Sequence, residues 1–333
     1  MKLGNFINNK LLPFFVALSG AKKGSWRAEK TFIFLQSLVM IPVKRIRGSR
    51  RNSRFVEKQY DELSGLYIRD NYYEGRLRYS VVDGDVKEIS SIENAGMIRQ
   101  EIKEILEQYK FKSILEVGVG ELTSMENIYK NFGPDIDCYG IDLSLNRLHH
   151  GLAEYSKRHK IVPTVAKANA IKLPFPDNSF DLVYTRHTLE QMPLIYQQAL
   201  DEIIRVSKKQ IILFEPSFEL GSLAQKVKML NTDYVKGIPS YINANDTVQL
   251  DEMYLMKNSA NPLNHTACYK LQLKNPCIRE HSPVQFVCPQ SKSPLLKKDG
   301  YYFSEGSSSA YPIIERIPVL DYDYSVGISE PNP

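Results

Sequence analysis

Between residues 113 and 214 the sequence alternates short apolar runs with longer amphipathic ones, and this rhythm constrains the fold more than any other feature. Apolar runs at 113–117, 137–141, 162–166, 180–184 and 210–214 alternate with stretches of helical periodicity near 124–131, 145–157 and 189–206, and another helical run precedes them at 95–109. The apolar runs have strand length, and neighbouring parallel strands need a long crossover between them. The pattern therefore predicts repeated βα units and a parallel sheet with helices on both faces. Two further stretches of alternating apolar residues, 248–256 and 266–273, predict an antiparallel edge. The expected fold class is α/β: a doubly wound, mostly parallel seven-stranded sheet with an antiparallel edge.

At 333 residues the chain has room for about two domains. Its formal charge of +5 is unevenly spread: residues 1–54 hold twelve Lys/Arg against Glu29 alone, so that segment carries +11 and the remainder −6. A mildly acidic body is a poor general nucleic-acid binder, so an anionic partner, whether RNA or a membrane surface, is expected to meet the N-terminus. Lys2 and Lys10 precede an apolar run at 11–18 and then Ser19, Gly20 and Ala21, which imitates a secretory signal, although Pro13 interrupts it. A second apolar stretch, 32–43, falls short of the roughly 20 residues a spanning helix needs. Trp26 among Arg27, Lys30 and the later cations fits two readings, an anchor on an anionic membrane surface or a helical arm packed on the body. Cys138, Cys268, Cys277 and Cys288 form no pair at metal-ligand spacing and are too few for a disulfide scaffold. A cytoplasmic protein is expected, with peripheral attachment to the inner membrane surface as the anchor reading.

The first chemical motif is the strand and turn LEVGVGELT at 115–123. Glycines at Gly118 and Gly120 suit a backbone that must bend tightly and approach a ligand. A dinucleotide would place its pyrophosphate at the following helix N-terminus, where Glu116 and Glu121 would repel it. S-adenosylmethionine carries no phosphate, and its ammonium and sulfonium are cations, which acidic residues suit. Downstream, GIDLS ends the second strand with Asp142, 22 positions after Gly120, where a carboxylate can accept both ribose hydroxyls; Ser144 is the more natural helix cap.

With these two stretches and ANAIKLPFPDNSFDLVYTRHTLEQM at 168–192, the chain resembles class I S-adenosylmethionine-dependent methyltransferases, whose sheet is Rossmann-like. The resemblance covers roughly residues 56–275. It implies that Glu116, Gly118 and Gly120 cradle the methionine moiety, that Asp142 binds ribose, that Leu143 stacks on adenine, and that Asn169, with Ala170 beside it, accepts from the adenine amine. Leu122 stands where the family often has a third glycine, and Gln191 where a second His is common. Acceptor contacts are expected near Glu215, Pro216 and Ser217 and within 259–266.

Methyl transfer from a sulfonium needs proximity, alignment and a dry site, and a base only if the acceptor must lose a proton. His187 and His265 are the base candidates, with a cofactor-contacting or capping role as the alternative for His187. No Asp/Asn-Pro-Pro-Tyr tetrad follows the fourth strand, which argues against exocyclic amino methylation of adenine or cytosine. Tyr60, Tyr67, Tyr72, Tyr73 and Tyr79 form an aromatic stretch ahead of the core that fits either a lid over the site or ordinary packing.

The C-terminal part resembles the small zinc-ribbon-like activator module of transfer-RNA and protein methyltransferases. Its zinc-binding members use two C-x-x-C pairs, which fall here on Cys288 with Ser291 and Ser304 with Ser307. Serine is a poor zinc ligand, so a metal-free module is expected, serving structure or partner docking. The resulting plan is a basic helical arm at 1–54, a methyltransferase domain at 55–278, the small β-rich module at 279–325 and a tail at 326–333. The expected activity is methyl transfer from S-adenosylmethionine to a small-molecule or glycan- or lipid-linked acceptor. The alternatives are RNA or translation-factor methylation and a catalytically silent scaffold.

Overall fold

The computed structural model describes residues 25–47, 51–277 and 282–327. The apolar run at 11–18, the segment 328–333 and the expected boundary at 278/279 lie outside the described residues.

Helix α1 (Trp26–Arg47) is followed by α2 (Ser53–Glu62), a helical turn at Leu66–Ile68 and a π-turn at Arg69–Tyr73. A hairpin of β1 (Leu77–Val82) and β2 (Asp85–Ser90) leads into α3 (Ser91–Leu106). The body then runs β3 (Ser113–Val117), α4 (Met125–Phe132), β4 (Asp137–Asp142), α5 (Leu145–Arg158), β5 (Thr164–Lys167), β6 (Phe180–Arg186), α6 (Tyr196–Val206) and β7 (Ser207–Pro216). It closes with α7 (Leu223–Thr232), α8 (Ile238–Asn243), β8 (Val248–Leu255) and β9 (Thr266–Leu273). The seven strands lie in the order β5-β4-β3-β6-β7-β9-β8, parallel from β5 to β7, with β9 antiparallel to both β7 and β8. This is the expected sheet, antiparallel edge included.

The sheet is buried on both faces, which is why its central strands read as nearly continuous apolar runs. Leu115, Val117, Val183 and Leu213 face a core shared with Ala199, Leu200 and Ile203 of α6. Ile114, Leu182, Tyr184 and Phe214 face the other, shared with Ile98, Ile102 and Ile105 of α3 and with Leu148 and Tyr155 of α5. The three- and four-residue spacings on those helices are the apolar stripes that the sheet requires.

The helix expected over 95–109 spans Ser91–Leu106 and the strand expected over 210–214 spans Ser207–Pro216; two further departures fall at prolines. The helix expected over 189–206 divides into a 3-10 turn at Leu189–Gln191 and α6, with Pro193 between them; proline lacks the N–H an uninterrupted helix needs and disfavours a helical conformation before it. The strand expected from 162 begins at Thr164, after Pro163.

The C-terminal module is built from β10 (Leu296–Lys298), β11 (Tyr301–Ser304), β12 (Ser309–Ile314), β13 (Ile317–Pro318) and β14 (Val326–Gly327). It lies against β5, the free edge of the main sheet: Val319 pairs with Lys167, the Leu320 amide donates to the Lys167 carbonyl at 2.8 Å, and Tyr311, Leu320 and Cys288 pack on Ala166. An otherwise open strand edge is thereby covered. At the other end of the chain α1 packs on α7.

Candidate functional site

In a doubly wound sheet the ligand crevice lies beyond the carboxyl ends of the strands, where the connections change direction. Here β3 sits between β4 and β6, and a cavity of about 420 Å³ opens at the ends of these three strands. That volume is within the range of about 300–1,000 Å³ usual for small-molecule sites.

The turn after β3 folds back over β4, with the Gly118 and Val119 amides donating to the Ile141 carbonyl at 2.8 and 2.9 Å. Gly118 has φ of 79°, and a Cβ there would collide with the Thr188 side chain, so only glycine fits. The Gly120 amide donates to Asp142 Oδ2 and the Ser144 amide to Asp142 Oδ1, both at 2.8 Å. Two backbone donors thus fix the carboxylate at the tip of β4 while each oxygen keeps a lone pair for a further donor. Ser144 caps α5, its hydroxyl accepting from the Arg147 amide at 3.2 Å.

Glu116 projects from the end of β3, almost wholly buried, and accepts a hydrogen bond from the Tyr184 hydroxyl. Burial pushes its carboxyl up to about 7, against the pull of Tyr184, Arg186 and Ser124. Glu121, which the sequence pairs with Glu116 as a repellent for phosphate, turns away from the cavity. Its two oxygens accept from the Gly65 amide at 2.9 Å and the Ile68 amide at 2.7 Å, so it fastens the tyrosine-rich segment instead. That segment does form a cover. Tyr60 and Tyr67 line the cavity, and each ring lies 4.8 Å from the Arg147 guanidinium, which is also near Asp142 at 3.8 Å. Asp61 accepts from the Ser144 hydroxyl, closing the cover onto the tip of β4. Tyr72 and Tyr73 bond Glu126 and Glu154, and Tyr79 packs on Trp26, so these three serve ordinary packing.

His187 follows β6 in the left-handed region at φ of 52°. Its Nδ1 lies 3.3 Å from Glu190 Oε2 and its Nε2 lies 2.8 Å from the Thr266 hydroxyl. Glu190 also accepts from Asn264 at 2.9 Å and Gln191 at 2.8 Å. Although burial works to raise its carboxyl, His187 and these amides outweigh it and hold it below the ordinary range. A carboxylate so placed favours the proton on Nδ1 and leaves Nε2 as acceptor.

Of the residues expected at the site, Glu116, Gly118, Asp142, Leu143, Asn169, Ala170 and His187 line this one cavity. Gly120 contributes its amide to Asp142 from just behind it. Asn169 Oδ1 accepts from the Ile171 amide at 3.3 Å. His265 is not among the lining residues; its Nε2 meets the Met256 carbonyl at 2.7 Å. Glu215 is likewise turned inward, accepting from Thr185 Oγ1 at 2.7 Å and from the Thr188, Leu189 and Glu190 amides, so it caps the 3-10 turn rather than facing an acceptor. From 259–266 the cavity takes Ala260, Asn261 and Asn264. Sequence reasoning assigned no role to Arg147, Arg186 or Glu190. For Arg147 a signal existed: a cation in the first turn of a helix opposes the helix dipole unless a carboxylate is close.

In the C-terminal module the four positions expected to correspond to zinc ligands come together. Cys288 Sγ lies 3.3 Å from Ser307 Oγ and accepts from the Ser291 amide at 3.4 Å, while Ser293 Oγ bridges Ser291 Oγ at 2.8 Å and Ser304 Oγ at 2.9 Å. Hydrogen bonds thus link the positions, and among the described residues no cluster of three or more His, Cys, Asp or Glu could hold a metal ion.

Sheet order, cavity and glycine turn together are those of a Rossmann-like, doubly wound fold with an antiparallel edge. Residues 115–214 match the family model described as a methyltransferase domain. The chain is 33% identical over 110 residues to the demethylmenaquinone methyltransferase of Geobacillus kaustophilus, a match that covers 33% of this chain and 47% of that protein. The chain thus spans about half or less of the length of the curated relatives it matches. Among solved structures, the magnesium protoporphyrin IX methyltransferase of Synechocystis PCC 6803 with bound SAH superposes with a TM-score of 0.50 at 11% identity, covering 66% of this chain and 99% of that one. The cyclase SpnF superposes with a TM-score of 0.53 at 14% identity, covering 69% and 98%. These likenesses establish the fold; a cyclase among them shows that the fold alone does not fix the reaction.

Proposed function

We propose that the chain is an S-adenosylmethionine-dependent methyltransferase acting on a small-molecule acceptor that enters the cavity beside His187. The observation that carries this reading is the pair of carboxylates at the ends of two adjacent parallel strands, Glu116 buried and Asp142 held by the Gly120 and Ser144 amides, separated by a glycine turn that leaves no room for a side chain at Gly118. The donor set fits the cofactor: Glu116 meets its cationic end, Asp142 accepts from ribose hydroxyls, and Leu143, Asn169 and Ala170 line the adenine side. S-adenosylmethionine supplies a methyl group already activated on a sulfonium sulfur. The protein then has to align the acceptor and keep the site dry, which Tyr60 and Tyr67 do by covering it. His187 is the base in this reading: Glu190 holds the ring through Nδ1, and Nε2 takes the acceptor's proton once the acceptor displaces the Thr266 hydroxyl that now meets it at 2.8 Å. An acceptor of the kind named for the bacterial relatives, demethylmenaquinone, is compatible with the side chains of Tyr60, Tyr67, Met192, Ile195 and Tyr234 that line the cavity.

The basic N-terminal segment is proposed to bring the enzyme to an anionic membrane surface. No helix among the described residues is long and apolar enough to cross a membrane; the attachment proposed is peripheral, through the cations of residues 1–54. Sedimentation with anionic and neutral vesicles tests it: retention on anionic vesicles alone, lost at high salt, is expected. The C-terminal module is proposed to be a metal-free counterpart of the zinc-ribbon-like activator.

The experiment for the activity is calorimetric titration of the full chain with S-adenosylmethionine, S-adenosylhomocysteine and, as control, NAD. Binding of both adenosyl ligands without NAD is expected. A folded chain silent toward both adenosyl ligands overturns the proposal.

A further inference from the structure

The amino-acid end of S-adenosylmethionine bears an ammonium and a carboxylate on one carbon, so a site that reads it needs an anion and a cation a few ångströms apart and not neutralising each other. Glu116 supplies the anion at the end of β3. The register of the sheet supplies the geometry for the other. Tyr184 of β6 stands directly opposite Glu116, and Arg186, two residues further along β6, projects from the same face one step closer to the cavity. Such a diagonal neighbour lies about 7–8 Å away, within the span of an arginine side chain.

The local bonding keeps the two charges apart. Glu116 is held by the Tyr184 hydroxyl, and Arg186 Nη1 donates to the Ser124 hydroxyl at 3.0 Å, so each has a neutral partner rather than the other. Both line the same cavity, together with Ser124 and Thr123 from the end of the glycine turn. Arg186 is half-buried at the cavity wall; burial and the nearby Arg99 oppose its charge, with Glu116 as the chief favourable one. A cation there is held at a cost that an arriving anion relieves.

We infer that Arg186 binds the α-carboxylate of the adenosyl ligand while Glu116 binds its ammonium, so that the site recognises the intact amino acid. This rests on the cofactor reading above and deepens it. A carboxylate could equally belong to an acceptor, and the test separates the two sources. Full-length protein is titrated calorimetrically with S-adenosylmethionine and with decarboxylated S-adenosylmethionine, which keeps the sulfonium and the ammonium. The wild type is expected to bind the intact ligand about tenfold tighter or more, as a lost charge-assisted hydrogen bond implies. Arg186→Gln is expected to weaken the intact ligand by a similar factor, to leave the decarboxylated one nearly unchanged, and to be partly rescued by Arg186→Lys.

Equal affinity of the wild type for both ligands overturns the inference and points to an acceptor carboxylate or none; this arm decides even if Arg186→Gln does not fold. Equal weakening of both ligands by a folded Arg186→Gln also overturns it, making the arginine merely structural. If neither ligand binds folded wild-type protein, the cofactor reading itself fails and the inference with it.

Discussion

Leu122 adopts φ of 58° where a glycine would do so freely. The left-handed conformation costs an L-residue about 1–2 kcal/mol, and burying a leucine contributes about as much or more in return. Its side chain is almost wholly buried, against the small Gly151 of α5 and within the core of α3 and α4. Conformation and packing are traded at that one residue, which is how the turn dispenses with a third glycine. Glu116 is the residue whose chemistry is most exposed to test. With its carboxyl raised to about 7, the folded protein binds a proton there that the unfolded chain does not, so the apo-protein loses stability as pH rises from about 4.5 to 7. Ligand affinity runs the other way, because only the carboxylate pairs with an ammonium: S-adenosylmethionine is expected to bind more weakly at pH 6 than at pH 8, by up to about tenfold per unit well below 7. Calorimetry across that range checks it, and Glu116→Gln should bind weakly with no such slope. Glu116 and Asp142 were legible because acidic residues at the ends of predicted strands have few other uses. Arg186 and Glu190 were not, since their roles follow from cross-strand register and burial, neither of which is written locally.

The cover is fastened to the body by side-chain hydrogen bonds at several separate points, among them Glu121, Ser144 and Lys167. Glu121 grips its backbone at Gly65 and Ile68, and burial pushes that carboxyl up while those amides and Arg147 pull it down. Glu121→Gln keeps the size but loses the charge-assisted acceptor. It should raise protease cleavage within 53–73 severalfold while the melting of the body shifts little; a cleavage rate equal to wild type would remove Glu121 from that role. In the C-terminal module, hydrogen bonds from Ser291, Ser307 and Tyr311 pull the Cys288 thiol down to about 6 against the effect of burial. A depressed thiol stabilises the fold above its unfolded value, about 8.5, and that contribution is lost as pH falls through 6. Above about pH 7, where the opposing effect of Glu116 is complete, urea unfolding should therefore show stability rising toward about 8.5, with the slope lost in Cys288→Ser. A metal assay should find no stoichiometric zinc, and one ion per chain would overturn the serine cluster's role. At this scale βα elements were readable from periodicity. The β1–β2 hairpin was marked by Asp83-Gly84, both left-handed as a two-residue turn requires, yet its short flanks gave no rhythm to accompany the signal.

At the scale of the molecule, three parts distant in sequence meet at Lys167 of β5. Its ammonium bonds Glu57 of α2 and the Leu143 carbonyl, both at 2.6 Å, and lies 4.4 Å from the ring of Tyr324, whose hydroxyl bonds Glu57 at 2.8 Å. Helix α2, the parallel sheet and the C-terminal module thus share one junction beside Leu143, which lines the cavity. Arg51 reinforces it from the N-terminal side, donating to the Thr232 carbonyl at 2.9 Å and to Gln191, so the segment at 51–62 is part of the site's wall rather than a linker. None of this could be read in the sequence, because partners more than 100 positions apart leave no periodic trace, whereas the parallel sheet did because each of its strands is a local apolar run. The fastened cover also bears on tempo. Under the proposed activity, a spent ligand leaves a cavity lined by Tyr60 and Tyr67, and a swing of the segment that Glu121 grips is far slower than a methyl displacement between aligned groups. Rapid-mixing measurements on the wild type should therefore show a first turnover that outruns all those after it, with departure of the demethylated product as the slow event; a linear time course from the start would mean that the lid opens freely.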